Sequence, residues 1–292
     1  MFSTRFFRFF QHLNLKTLRR VIEGIGQRRL MGLSAEMAYN NLLALFPMLV
    51  AILATIGMLE IPQAQVDSLA RQFLHLAPEE VASFFATFTD QIQVPQGRTV
   101  VALSVFAGVW IASGALNVAM NAMDQICETP PERRRPFWKA KLIAIGLTIA
   151  TLGLVLLASF LMFISDVILR LVLSYLEIPG TEILRLWHWV RWVSSLAILA
   201  LAFSLIYRFG PSRWLRGNPI LPGALIAAIL WAIISQGFRI YVSTFGNFSV
   251  TYGALGAGIV LLLWLNLSSL TLLIGAYLNV TVGRELNPLR GG

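Results

Sequence analysis

The sequence predicts an all-α, polytopic membrane protein. It should have six transmembrane helices with both termini in the cytosol (N-in/C-in), an amphipathic interfacial helix at the N-terminus and short extracytoplasmic helices between crossings one and two. Three observations carry this fold class. The chain is 57% hydrophobic and only 13% charged, where soluble domains carry about a quarter charged residues. From Ala254 to Gly275 there is no charge at all, and at about 1.5 Å per residue that stretch reaches roughly 33 Å, enough to cross a bilayer's hydrocarbon. With six crossings, seventeen of the 23 lysines and arginines fall in cytosolic segments, as the positive-inside rule requires. The net charge of +9 is therefore mainly topological and calls for no nucleic-acid partner.

The chain reads as a single membrane domain over 1–292. Residues 1–34 form a cytosolic amphipathic segment. Phe6, Phe7, Phe10, Leu13, Leu18 and Ile22 supply an apolar side, and Arg8, Lys16, Arg19, Arg20, Arg28 and Arg29 supply cations suited to anionic headgroups. No apolar core precedes a small-residue cleavage site, so this is not a cleavable signal. Crossing one covers about 35–59, with Ser34 as its N-cap and Glu36 in the opening turn, facing the positive end of the helix dipole. Pro47 lies mid-span and should kink the helix.

Residues 60–98 are too polar and too interrupted by Pro78, Pro95 and Gly97 to span. They are expected as an extracytoplasmic helical loop. Crossings two to six follow at about 99–123, 142–164, 190–207, 222–240 and 254–278. Trp187, Trp189 and Trp192 mark an interface ahead of crossing four, and Pro222 suits the first turn of crossing five. Crossing six opens with small residues: Gly253 with Ala257, and Ala254 with Gly258, have the spacing that lets helix backbones approach in lipid, with Gly256 between them.

Several motifs, in order along nearly the whole chain, resemble the YihY/BrkB family of bacterial inner-membrane proteins, some of which carry an old ribonuclease BN label. They are Ser34-Ala35 through Tyr39 to Phe46-Pro47, Gly108-Val109-Trp110 with Asn117, Asn121 and Asp124, and Arg135-Pro136-Phe137-Trp138-Lys139. The series continues with Tyr207-Arg208-Phe209-Gly210-Pro211, Leu221-Pro222-Gly223-Ala224, Tyr252-Gly253-Ala254-Leu255-Gly256, Trp264-Leu265, Gly275-Ala276 and Leu278-Asn279. The resemblance implies a multi-pass protein of the bacterial cytoplasmic (inner) membrane with about six crossings. It implies little about activity. Many relatives resemble Gly-Ala-Glu-Leu-Asn near the end, whereas this chain has Tyr277 at the acidic position, so a mechanism needing that carboxylate does not carry over.

Candidate substrate-pathway residues are polar groups inside apolar helices, which lipid cannot satisfy. On crossing two, Asn117, Asn121 and Asp124 share a face with Ser113 and Trp110. They either wall a polar cavity opening to the cytosol or hydrogen-bond between helices. On crossing one, Glu36, Tyr39, Asn40 and Asn41 begin at the same end, and Glu36 and Asn40 share a face. Asn266 and Ser269 meet near mid-depth on crossing six, where packing glue is the simpler role.

A ribonuclease would need metal-bound water or a general acid and base at a phosphodiester. His12, His75 and His188 lie on three separate segments, and no metal-ligand motif, Walker motif or phosphate-cradling loop is present. The lone Cys127 permits no internal disulfide. No catalytic residue, metal or cofactor is expected, and the partners are membrane lipids, with oligomerisation left open. Two function classes fit: transport or translocation of an unidentified substrate, lipid or other amphiphile among them, and a non-catalytic envelope-assembly scaffold docking through residues 60–98.

Overall fold

The computed structural model describes Phe9 and residues 15–58, 98–176, 181–213, 219–245 and 254–286. Among the described residues every regular element is helical. They are α1 (Leu15–Gln27), α2 (Leu30–Met58), α3 (Arg98–Ile126), a 3-10 turn at Pro131–Arg133, α4 (Phe137–Leu176), α5 (Thr181–Phe209), α6 (Leu221–Phe245) and α7 (Ala254–Leu286). Five of them hold stretches long and apolar enough to cross a membrane: Ala102–Ile126, Phe137–Leu154, Trp192–Phe209, Leu221–Ser243 and Gly256–Leu286. This is a multi-pass membrane protein. The outer helices expected over residues 60–98 fall, apart from Arg98, outside the described residues, as do Gly253, His12 and His75.

The six long helices close a ring. Each packs on the next in sequence, and α7 returns to α2. The last helix also touches α1 and α3. Its small residues permit this. A side chain at Gly275 would collide with the Tyr207 hydroxyl at 2.5 Å, Ala227 at 2.6 Å and the Gly223 carbonyl at 2.7 Å, so α5, α6 and α7 meet there at backbone range. Around that point Leu33 and Met37 of α2, Met123 of α3, Phe203 of α5 and Leu273 of α7 form one buried cluster.

Four segments distant in sequence gather at one end of the bundle. Arg20 of α1 pairs with Glu285 near the end of α7, Arg28 pairs with Glu128 of the α3–α4 loop, and Arg135 of that loop reaches the α5–α6 connection. These contacts define the α1 end of the bundle.

Local structure departs from the sequence-based reading at several places. Arg29 adopts a left-handed conformation, φ 53°, which breaks α1 from the next helix, and the buried Leu30 and Leu33 then start α2 five residues earlier than expected. Ser34 is therefore not an N-cap and Glu36 is not in the opening turn. The second departure is at Phe137–Lys141, expected as cytosolic loop, which is the first turn of α4. Finally, a side chain at Gly258 would meet nothing within 4 Å, so close approach lies at Gly223 and Gly275 instead. Pro47 sits half-buried within α2, and Pro222 falls at the second position of α6, where its missing N–H has no partner to lose.

Candidate functional site

The residues of α7 that face α2 and α6 form a seam of uncharged polar groups. The Ser34 hydroxyl lies 2.7 Å from Asn266 Oδ1 and 2.9 Å from the Met31 carbonyl, its one proton shared between them. Seven residues along α2, Asn41 donates its amide to the Ser269 hydroxyl at 3.3 Å. On the other flank of α7, Trp231 of α6 donates its indole N–H to the Ser268 hydroxyl at 3.0 Å. Helix periodicity puts Asn266, Ser269 and Leu273 on one line. That explains why Ser34 and Asn41, one heptad apart on α2, meet this face. Among the described residues Trp264 Nε1, beside Trp231, is buried without an acceptor.

The α1 end is closed by three polar clamps. In the first, Asp124 terminates the polar face of α3: its carboxylate accepts the Ser212 N–H and the Ser212 hydroxyl, both at 2.6 Å. The Arg135 guanidinium donates to the carbonyls of Phe209, Gly210 and Pro211 at 2.7, 3.1 and 2.8 Å. Burial lowers the Arg135 pKa and the Asp124 charge opposes that shift. In the second clamp the Tyr207 hydroxyl, fully buried, donates to the Leu272 carbonyl at 2.7 Å. In the third, Asn279, also fully buried, uses its amide as a cap for α6. Its Oδ1 accepts the Gly223 N–H and its Nδ2 donates to the Ile220 carbonyl, each at 3.0 Å, so an orphan donor at the helix start is satisfied from another helix.

Electrostatics at this end are a chain of alternating sign. Glu128 takes both Arg28 and Arg284. Burial opposes ionisation there, yet the two guanidinium groups outweigh it and hold the carboxyl below its usual range. Next to it, burial and the Asp124 charge push the Cys127 thiol up to about 12. One lysine is placed where no local sequence pattern predicts it. Lys141 is buried, with Nζ 2.8 Å from the Trp110 carbonyl and 4.7 Å from the centre of its indole ring. Ser113 donates to the same carbonyl at 2.7 Å, so that oxygen, about half-way along α3, takes two side-chain donors besides its place in the helix ladder.

The remaining sequence candidates are spread out. Glu36 and Tyr39 are exposed and Asn40 donates to the Glu36 carbonyl at 2.9 Å, within its own helix. Asn121 is exposed and Asn117 half-buried, while Asp124 is engaged by Ser212 rather than by them. The structure brings Asn266 and Ser269 to α2 and does not bring Glu36 to the α3 stripe by a hydrogen bond. Ser34, Arg135, Lys141, Tyr207 and Asn279 lie outside the sequence candidates; all but Lys141 belong to the ordered motifs quoted above, which is the available signal. Among the described residues no three of His, Cys, Asp and Glu gather into a group that could hold a metal.

A family model described as "Virulence factor BrkB" matches residues 21–291. Among curated proteins, the chain is 32% identical over 252 residues to a Bacillus subtilis protein named as ribonuclease-like, YfkH, covering 86% of this chain and 90% of that one. It is 27% identical over 256 residues to a "UPF0761 membrane protein" of Xanthomonas oryzae pv. oryzae, covering 86% of this chain. The alignment spans 56% of the Xanthomonas protein, so this chain corresponds to about half the length of that relative. No solved structure matches.

Proposed function

The chain belongs to the BrkB family, and on that premise we propose that it translocates a lipid-like amphiphile across the cytoplasmic membrane without enzymatic chemistry. The observation that carries this reading is the seam between α2 and α7. Its hydrogen bonds join uncharged groups, and such interhelical bonds in lipid average only about 0.6 kcal/mol each. A seam held this weakly can part and offer a headgroup the polar partners it loses on leaving water. An enzyme would need a reactive constellation, whereas translocation needs only a polar track with apolar flanks.

The topology we propose has six crossings with both termini in the cytosol. Two features support it: α1 and the end of α7 lie together, as an even number of crossings demands, and the basic α3–α4 loop shares that end. The 29 residues of α2 reach about 44 Å, long enough to be the crossing that precedes the other five.

The test is exchange of a fluorescent-tailed phospholipid in vesicles containing only this protein, read by dithionite quenching. Quenching should pass the outer-leaflet half, and Asn266→Leu with Ser269→Ala should slow it by about tenfold, a rise of about 1.4 kcal/mol in the barrier. Quenching that stops at half in every preparation would remove translocation and leave the scaffold role.

A further inference from the structure

We propose that the groove between α1 and the last turns of α7 is a headgroup site for a zwitterionic, phosphoethanolamine-bearing membrane lipid. It rests on the reading of α1 as a helix lying along the bilayer surface and does not require that the bound lipid be moved. The groove encloses about 390 Å³ and is lined by Arg20 and Glu23 of α1 and by Tyr277, Thr281, Arg284 and Glu285 of α7, a size that suits a small ligand.

Its chemistry selects the ligand. Two guanidinium groups and two carboxylates face one space, with Arg20 and Glu285 paired to each other, Glu23 held by Arg19 and Arg284 by Glu128. A ligand that is only anionic would meet both carboxylates, and one that is only cationic would meet both arginines. A headgroup carrying phosphate and ammonium a few bonds apart satisfies each sign in turn, with phosphate on the planar guanidinium forks and ammonium on the glutamates. The hydroxyls divide in the same way. Thr281 already donates to the Tyr277 carbonyl at 2.9 Å, so its oxygen is left to accept from an ammonium, while the Tyr277 hydroxyl is a donor suited to phosphate.

The surroundings suit a lipid rather than a free metabolite. Directly under the groove Val21 of α1 packs with Leu278 and Val282 of α7, with Phe9 buried among them. Tyr277 is held in position by Gly24, where any side chain would collide with the phenol ring. An amphipathic helix at the end of a membrane-crossing helix stands at headgroup depth, and Ile22, exposed on α1, points apolar surface outward where acyl chains begin.

The experiment uses the full chain in nanodiscs of equal parts phosphatidylethanolamine, phosphatidylglycerol and phosphatidylcholine, followed by release and native mass spectrometry of retained lipid. Phosphatidylethanolamine should be retained about tenfold over the other two. Arg20→Gln should bring retention level with them. Because that change also breaks the Arg20–Glu285 pair, Thr281→Leu is the second variant: it fills the groove without touching an ion pair and should abolish the preference while the unfolding temperature in detergent stays put. Soluble glycerophosphoethanolamine should compete only weakly. Equal retention of all three lipids, a preference for phosphatidylglycerol, or competition by the soluble headgroup at the lipid's own affinity would each overturn the proposal. Quenching measured on the same preparations separates the two readings. Selective retention without exchange would sink translocation alone, and exchange without selectivity would sink this site alone.

Discussion

Gly223→Ala should destabilise the bundle by about 2–3 kcal/mol, although alanine is the better helix former. The side-chain amide of Asn279 lies directly over Gly223, and an added Cβ would meet its oxygen, carbon and nitrogen all inside 3.0 Å. Asn279 has no exposed surface and packs among α6 and α7, so the amide cannot shift without giving up its bonds to Gly223 and Ile220. A buried donor or acceptor left unpaired costs about 1–3 kcal/mol, and two groups are freed. Against this, replacing glycine inside a helix returns about 1 kcal/mol. At about 1.5–2 kcal/mol for each group the balance is a net loss of about 2–3 kcal/mol, which a double-mutant cycle can isolate. In an Asn279→Ala background the same Gly223→Ala change meets no amide and should be neutral or stabilising by up to about 1 kcal/mol. Reversible unfolding in mixed micelles, followed by far-ultraviolet circular dichroism, reads all four corners. Gly223→Ala alone as stable as the parent would show that the amide does not cap α6.

The other expectations concern the same end of the molecule. Arg135→Lys keeps the charge but replaces a rigid fork with a single ammonium, so it should lose about 2 kcal/mol, nearly as much as Arg135→Gln; full rescue by lysine in the unfolding assay would show that charge alone matters. With its thiol raised to about 12, Cys127 should react with iodoacetamide at pH 8 roughly a thousandfold more slowly than a free cysteine, speeding up about tenfold per pH unit until pH 11. Rapid labelling of the folded protein would contradict the burial. Glu128 has a lowered folded pKa, so its contribution is present above its unfolded value of about 4.3 and is lost as pH falls through the folded one. Unfolding temperature should drop on acidification into that window, and Glu128→Gln should be lower at neutral pH and flatter below it.

The long apolar runs made the crossings legible, because lipid demands helices and demands length. Positions of α3, α5, α6 and α7 follow directly from runs free of charge. The start of α2 did not, since Ser34 has the chemistry of a cap and only the left-handed Arg29 shows that the helix begins earlier. A lysine beside Arg133–Arg135 reads as topology, so Lys141 goes with the loop on sequence alone; its burial against Trp110 depends on how α3 and α4 cross, which no local pattern encodes. Asn266 and Ser269 were legible as a pair on one face, whereas their partners Ser34 and Asn41 required the ring to be closed. Small-residue spacing misled at Gly258, where open space lies outside, because such spacing marks a permitted approach and does not say which helix uses it.

The clamps and the seam differ in strength, and that difference argues where motion belongs. At the α1 end Asp124, Arg135, Tyr207 and Asn279 are buried or fork-bonded to backbone, and the arginine–glutamate chain adds charge. In the seam, Ser34 already divides one proton between Asn266 and its own helix, and the Asn41–Ser269 bond at 3.3 Å is long for an amide donor. Separation of α2 from α7 therefore costs less than opening α5 and α6 from α7. A covalent link across the seam tests this directly. Ser34→Cys with Asn266→Cys, in a Cys127→Ser background, should stop lipid exchange when oxidised and restore it on reduction. The same treatment should leave phosphatidylethanolamine retention at the α1 groove unchanged. If exchange continues across a fully formed crosslink, the seam is packing alone, and any pathway must run between other helices of the ring.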